Sequence, residues 1–120
     1  MLEFSVAGYS LKAPKGKFLQ MSGLRVEYNI TKPDNQKVVN VLIRCADCSV
    51  PEYKPLNETI KYKVIISQYL AQGGDGYHML NSKDITKIQS EVLDYQILSE
   101  YMSETPVIYT GNDNRITFVT

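Results

Sequence analysis

A glycine-rich turn that ends in an aromatic ring is the part of this sequence best suited to binding chemistry. Residues 69–77 read Tyr-Leu-Ala-Gln-Gly-Gly-Asp-Gly-Tyr, and the turn itself comprises Gly73, Gly74, Asp75 and Gly76. Glycine adopts positive φ at little steric cost, so this spacing allows a tight turn that aims Tyr77 into a cleft. We assign Asp75 first to the shape of the turn. The motif lacks the Gly-Lys-Ser/Thr ending of a P-loop and the spacing of a dinucleotide fingerprint.

A second aromatic residue, Phe18, lies between Gly16 and Gly23. A purine has two flat faces, and a ring stacked on each would clamp it, with about 1–3 kcal/mol per stacked base. Phe18 and Tyr77 therefore form a candidate purine clamp. The alternative from residue chemistry is that Phe18 belongs to the core and Tyr77 only closes a turn.

The sequence offers no complete catalytic set. His78 is the only histidine, whereas a catalytic triad needs a nucleophile with an oriented base, and a two-metal site needs several histidines and carboxylates. We therefore predict no catalytic residue, no metal ligand and no cofactor in this chain.

The two cysteines, Cys45 and Cys48, leave four interpretations open: a zinc site, a redox pair, two free thiols or a short local disulfide. Zinc needs about four ligands, and a thioredoxin-like pair would open a helix, for which Pro51 is a poor start. We favour the disulfide, because glycosylation sequons at Asn29 and Asn57 also hint at secretion.

Composition narrows the class of partner. Thirteen basic and thirteen acidic residues cancel, which argues against a nucleic acid polymer or an anionic membrane. No apolar run approaches the roughly 20 residues of a membrane span. No signal peptide or lipid-anchor signal is visible. A single mononucleotide remains compatible, since a few local groups can meet its charge.

Hydrophobic periodicity predicts an α+β fold with a mixed or antiparallel sheet. Helical segments are expected at residues 2–7, 68–72 and 91–103. Strands are expected at 18–23, 24–30, 38–44, 62–67, 107–109 and 116–119, with the second and third of these forming a hairpin and the segment 62–67 buried. Residues 45–56 are expected to be irregular. The abrupt start suggests that the chain begins inside a larger domain.

Five landmarks in order along the chain resemble the substrate-binding C-terminal domain of the 5'-nucleotidase and apyrase family, particularly the animal ecto-5'-nucleotidases. They are Phe-Leu-Gln-Met-Ser-Gly-Leu-Arg-Val at 18–26, Cys-Ala-Asp-Cys-Ser-Val-Pro-Glu-Tyr at 45–53, Tyr-Lys-Val at 62–64 leading to Gly-Gly-Asp-Gly-Tyr at 73–77, the segment 94–101, and Val-Ile-Tyr at 107–109 with Arg-Ile at 115–116.

The resemblance implies a role for individual positions. Phe18 and Tyr77 stand where the family stacks adenine. Asp84 is the candidate contact to the ribose hydroxyls, with Asn81 as a substitute. Cys45 and Cys48 stand where animal members form a short disulfide.

The resemblance also implies a context. We expect residues 1–120 to be the C-terminal part of a substrate-binding domain, incomplete at its N-terminus. Two zinc-like divalent metal ions would lie in a separate metallophosphatase domain that this chain lacks, so the chain alone is expected to be inactive. The expected ligand is adenosine, AMP, ADP or ATP, the expected location is extracellular, and a homodimer is possible. The alternatives are a non-catalytic nucleotide-binding or dimerisation module and a small redox protein built on the two cysteines.

Overall fold

The computed structural model describes all 120 residues, and the chain divides into two compact units. The first comprises residues 1–64 and 113–120, and the second comprises residues 65–112. The helices and strands, in chain order, are α1 (Leu2–Val6), β1 (Leu24–Tyr28), β2 (Val38–Arg44), β3 (Tyr53–Pro55), α2 (Gln68–Ala71), α3 (Asp94–Glu104) and β4 (Ile116–Phe118). Two 3₁₀ turns, Gly74–Gly76 and His78–Asn81, lie between α2 and α3.

The first unit contains one mixed four-stranded sheet, in the order β3-β2-β1-β4. β1 and β2 form the predicted antiparallel hairpin, with Val26 opposite Val41. Alternation along β1 buries Val26 and Tyr28 while Arg25 stays exposed, as a half-buried strand requires. The C-terminal strand β4 returns to pair in parallel with β1, which confirms the mixed sheet of the α+β prediction.

The core of the first unit forms where α1 packs against β1. Val6, Val26 and Tyr28 have no exposed surface. The Tyr28 hydroxyl lies 3.4 Å from the Ser5 hydroxyl inside this core. Burial raises the pKa of Tyr28, and the nearby Glu3 carboxylate adds to the rise, while the Ser5 hydrogen bond opposes it.

Glu3 joins the N-terminal helix to the sheet. Its two carboxylate oxygens accept hydrogen bonds from the backbone N–H groups of Lys37 (3.0 Å) and Val38 (2.9 Å), where β2 begins. Hydrogen bonds to an ionised acceptor are stronger than neutral ones, so this carboxylate fixes the start of β2 against α1.

The second unit contains short helical segments. α2 is one helical turn, capped by the Ser67 hydroxyl, which accepts a hydrogen bond from the Leu70 backbone N–H at 3.3 Å. α3 confirms the predicted helix at 91–103, although it begins at Asp94. Its apolar side chains, including Ile97 and Tyr101, are about half exposed. None of the helices combines the length and the apolar character needed to cross a bilayer.

Three predicted strands are wrong. Residues 18–23, 62–67 and 107–109 form no strand, and the segment 62–67 is exposed rather than buried, with Ile65 fully accessible. A run of apolar residues becomes a strand only when a neighbouring strand accepts its hydrogen bonds, and none of these three runs is paired with another strand. Conversely, the segment expected to be irregular contains β3, an edge strand that tolerates Pro55 at its end.

Candidate functional site

The glycine-rich turn has the tight backbone that its composition predicts. Gly73 (φ +93°) and Gly76 (φ +87°) both occupy the positive-φ region that favours glycine. Asp75 is also left-handed, with φ +52°, which is uncommon for a residue with a side chain. The backbone N–H of Tyr77 donates to the Gly74 carbonyl at 3.1 Å, so the turn fixes the backbone on which the aromatic ring stands.

Tyr69 holds this turn in place from outside. Its hydroxyl donates a hydrogen bond to the Asp75 carboxylate (2.9 Å) and accepts one from the Asp75 backbone N–H (3.1 Å). Its ring lies so close to Gly74 that a Cβ there would stand 2.5 Å from a ring carbon. A glycine is therefore required at position 74 because a side chain would collide with the Tyr69 ring, and not because the backbone φ is positive there. Asp75 shapes the turn through these bonds.

A second group of polar side chains supports the start of the turn. The Asn81 amide donates to the Gln72 carbonyl at 3.3 Å, and its oxygen accepts from the Lys87 ammonium at 2.9 Å. Lys87 also donates to the carbonyl of Ala71, at the C-terminal end of α2, where a positive charge is favourable. A Cβ on Gly73 would come within 3.1 Å of Asn81, so this approach also depends on a glycine.

Tyr77, the aromatic residue that ends the turn, is completely buried. The residue that follows, His78, is exposed, and Leu80 is buried in the next 3₁₀ turn. The motif thus places the aromatic ring in the interior, with no accessible face, rather than open in a cleft. Stacking of Tyr77 on a purine stays a prediction.

Phe18 lies in the loop before β1 and takes part in a cluster of four rings. Its ring centroid is 4.9 Å from Tyr9, 6.0 Å from Tyr28 and 6.1 Å from Phe118. It is half-buried, so the same ring contributes to packing and keeps some accessible surface. Phe18 belongs to the first unit and Tyr77 to the second. A purine clamp formed by these two residues stays a prediction.

Asp84, the candidate for the ribose contact, is exposed. Its carboxylate accepts a hydrogen bond from the Ser82 hydroxyl, and its backbone N–H donates to that same hydroxyl, both at 3.3 Å. No helix begins at Asp84, so it does not act as a helix cap. The contact of Asp84 with a ribose stays a prediction.

Cys45 and Cys48 form the favoured disulfide. They lie in the loop between β2 and β3, where the Cys45 backbone N–H donates to the Glu52 carbonyl at 2.9 Å. The interpretation as free thiols is therefore wrong, and no helix begins at the pair, as a thioredoxin-like redox site would require. A Glu52 carboxylate oxygen lies 3.0 Å from the Cys48 sulfur. Although these three side chains lie close enough to share a metal ion, sulfurs bonded to each other offer no thiolate ligands.

The two glycosylation sequons differ in accessibility. Asn57 is exposed, whereas Asn29 is only 8% exposed. In both, the asparagine oxygen accepts hydrogen bonds from the backbone and hydroxyl of the threonine two residues later, Thr31 or Thr59. The surrounding structure therefore favours Asn57 as the modified position.

Sequence reasoning missed Tyr69 and Lys87 as supports of the turn. Tyr69 precedes Asp75 by six residues, a spacing that no regular helix or strand brings together. The sequence carries no local signal for this contact, because the ordinary φ that shows Gly74 to be needed for space is visible only in the structure.

Comparison with known proteins gives one consistent family. Residues 1–82, more than half of the chain, match the model of the 5'-nucleotidase C-terminal domain. Among curated relatives, the chain is 38% identical over 104 residues to a 5'-nucleotidase of Diplobatis ommata, and 37% identical over 105 residues to one of Homo sapiens. These alignments cover 87% and 88% of the chain, but 18% of each relative. The chain is also 36% identical over 104 residues to a snake venom 5'-nucleotidase of Macrovipera lebetinus, covering 87% of the chain and 25% of that relative.

The fold is similar to a solved structure. A 5'-nucleotidase precursor from Thermus thermophilus superposes with a TM-score of 0.79 at 28% identity, over 88% of this chain and 20% of that one. This likeness confirms the predicted α+β architecture and the predicted resemblance.

Proposed function

Because the chain belongs to the 5'-nucleotidase C-terminal domain family, we propose that it is the part of a nucleotide-hydrolysing enzyme that binds the adenine base. The observation that carries this proposal is the pair of aromatic residues at the matching motifs, Phe18 before β1 and Tyr77 after the glycine-rich turn. The substrate class is an adenine nucleoside phosphate, and the parent enzyme releases phosphate from it. We assign the ribose contact to Asp84 on its position after the glycine-rich turn, and the Ser82 hydroxyl engages only one of its carboxylate oxygens.

The burial of Tyr77 sets a condition on this proposal. A base can stack on Tyr77 only after the atoms that cover the ring have moved. Stacking then places the base over the ring face, where the π-electrons of each ring shift the magnetic resonances of the other. Binding therefore predicts a change in the Tyr77 ring resonances, whereas binding elsewhere leaves them unchanged.

The chain's own residues do not fit the two divalent metal ions that the family resemblance implies. Cys45, Cys48 and Glu52 form the one group of three close ligand-type residues, and both of its sulfurs are in the disulfide. His78 is exposed and stands alone as a histidine. We therefore derive no catalytic step from this chain and propose that metals and hydrolysis belong to another domain of the parent. The 120 residues by themselves then release no phosphate.

We propose an extracellular location. The disulfide is typical of an oxidising compartment, and one relative is a snake venom protein. The accessible sequon at Asn57 agrees with passage through the secretory pathway. Pairing of two copies through this domain is a further proposal, and sedimentation of the chain tests it.

The test is a titration of the 120-residue chain with adenosine, followed by calorimetry and by magnetic resonance of its tyrosine rings. Phe18→Leu and Tyr77→Leu keep apolar volume but remove the flat ring, and each should weaken binding by at least about fivefold, the lower end of what the loss of one base stack requires. Tyr77→Phe is the matched control, since it retains the stacking ring. Equal affinity in Tyr77→Leu and the unaltered chain would exclude Tyr77 from the site.

The alternative of a non-catalytic nucleotide-binding module makes the same binding prediction. The two differ in whether a metal-binding domain accompanies this one in the native protein. Release of phosphate from AMP by the native protein with added Zn²⁺ distinguishes them, because only the hydrolase parent releases it.

A further inference from the structure

We propose that Tyr69 is a positioning residue of the base-binding turn, which acts on Tyr77 through Gly74 and Asp75. This inference rests on the proposed function and extends it to a residue outside the predicted clamp. All of its contacts lie within residues 69–77.

The first observation is the unusual backbone at the centre of the turn. Asp75 carries a side chain at φ +52°, although its neighbour Gly74, which could adopt positive φ freely, does not. Left-handed backbone at a non-glycine residue persists only when the surroundings hold it, and such residues are concentrated at functional sites. The left-handed backbone of Asp75 therefore requires a neighbouring group that stabilises it.

The Tyr69 hydroxyl is that group. It forms two hydrogen bonds to the same residue, donating to the Asp75 carboxylate at 2.9 Å and accepting from the Asp75 backbone N–H at 3.1 Å. One hydroxyl thus fixes both the backbone and the side chain of the left-handed residue. A phenylalanine at position 69 would keep the ring and lose both bonds.

The Tyr69 ring supplies the second constraint. A Cβ on Gly74 would lie 2.5 Å to 2.6 Å from three ring atoms, so the ring packs directly on the Gly74 backbone. The carbonyl of Gly74 in turn accepts the hydrogen bond from the Tyr77 backbone N–H at 3.1 Å. The path from Tyr69 to Tyr77 therefore consists of one ring contact and one hydrogen bond, with no intervening flexible side chain.

This path implies a division of roles within the turn. Tyr77 provides the face on which the base stacks, and Tyr69 restricts the directions in which that face can point. Tyr69 is itself 59% exposed, so its contribution to the stability of the fold is small compared with that of the fully buried Tyr77. Its contribution appears when a ligand requires one orientation of the Tyr77 ring.

The test compares Tyr69→Phe with a matched control, Tyr62→Phe, in the full chain. The Tyr62 hydroxyl also accepts a backbone hydrogen bond, from Asn57 at 3.1 Å, but it lies outside the turn. The probe is adenosine, and its dissociation constant is measured by calorimetry. Tyr69→Phe loses both hydrogen bonds to Asp75 and should weaken adenosine binding by at least about fivefold, the equivalent of one net hydrogen bond, while Tyr62→Phe leaves the affinity unchanged.

Two further measurements separate positioning from a general loss of structure. At saturating adenosine, the shift of the Tyr77 ring resonances should be smaller in Tyr69→Phe than in the unaltered chain, because the ring no longer holds one orientation. Hydrogen exchange at the Asp75 and Tyr77 amides should accelerate in this variant alone. If Tyr69→Phe lowers only the overall stability, the shift of the Tyr77 ring resonances at saturating adenosine will equal that of the unaltered chain. That result would overturn the inference.

The outcomes also distinguish the two proposals from each other. Failure of the unaltered chain to bind adenosine would overturn the proposed function, and the positioning role with it. Binding by the unaltered chain with the same affinity in Tyr69→Phe would overturn the positioning role alone.

Discussion

The Lys37 ammonium group, which is almost fully buried, donates a hydrogen bond of 2.6 Å to the Asp34 carboxylate. This bond lowers the pKa of Asp34, and a second bond, from the Gly8 backbone N–H, lowers it further. A carboxylate whose pKa is lowered by folding stabilises the native state above its ordinary pKa of 3.8, and this contribution is lost as the pH falls through the lowered value.

Asp34→Asn should therefore lower the melting temperature at pH 7, and the difference from the unaltered chain should shrink in acid below pH 3.8. The asparagine oxygen still accepts a hydrogen bond, so the loss reports the missing charge beside Lys37. Asp47→Asn, on the exposed disulfide loop, is the control. An Asp34→Asn difference of the same size at pH 7 and pH 3 would show that the charge is irrelevant.

We expect the disulfide to stabilise its own loop and the adjacent strand β3 rather than the whole sheet. Cys45 and Cys48 close a loop of only four residues, counting both cysteines, so the chain-entropy model gives about 2 kcal/mol. The loop leads directly into β3, which pairs with three residues of β2 at the edge of the sheet. Replacing both cysteines by serine should lower the free energy of local opening of the loop and β3 by about that amount, which accelerates exchange at Lys54. Protection at Val26, in the centre of the sheet, should not change. Equal acceleration at both positions would indicate that the disulfide supports the whole sheet.

Gly74→Ala should distort the glycine-rich turn, because the new methyl group would meet the Tyr69 ring at 2.5 Å. The ring must move, which breaks its bonds to Asp75, and overpacking of this kind costs about 1–3 kcal/mol. Gly111→Ala is the matched control in the same unit, since nothing lies within 4 Å of its Cβ position. Thermal unfolding of both variants measures the difference. If the two alanines have the same effect, the Tyr69 ring does not pack on Gly74 in solution.

Sequence reasoning succeeds where one local pattern determines the structure. Alternation from Leu24 to Tyr28 predicts which side of β1 is buried, and helical spacing predicts α3. Both depend on periodicity along a few residues, which the chain itself carries. The disulfide was favoured for a different reason, the hint of secretion that the two sequons add, and the structure contains it.

Sequence reasoning fails where the structure of a segment depends on the strands or side chains that pair or pack with it. The run from Tyr62 to Ser67 has the composition of a strand, but no neighbouring strand pairs with it. β3 has two prolines near it and still forms, because β2 offers it a free edge. The same limit applies to the site, where the turn residues were predicted from composition but Tyr69 was not. Its role depends on a contact across six residues that has no periodic signature.

The two glycosylation sequons should behave differently. Asn57 is exposed in the loop after β3, whereas Asn29 follows β1, is 8% exposed, and is bonded through its backbone N–H to the Lys37 carbonyl at 2.7 Å. A glycan on Asn29 would have to displace the packed end of the hairpin, so its attachment is incompatible with this fold. On secretion from animal cells, the chain should carry one glycan, so treatment with a glycosidase should lower its mass. Asn57→Gln should abolish this loss of mass. Asn29→Gln should leave that loss unchanged. Detection of a glycan on Asn29 in folded, secreted chain would contradict the packing of this residue at the end of the hairpin.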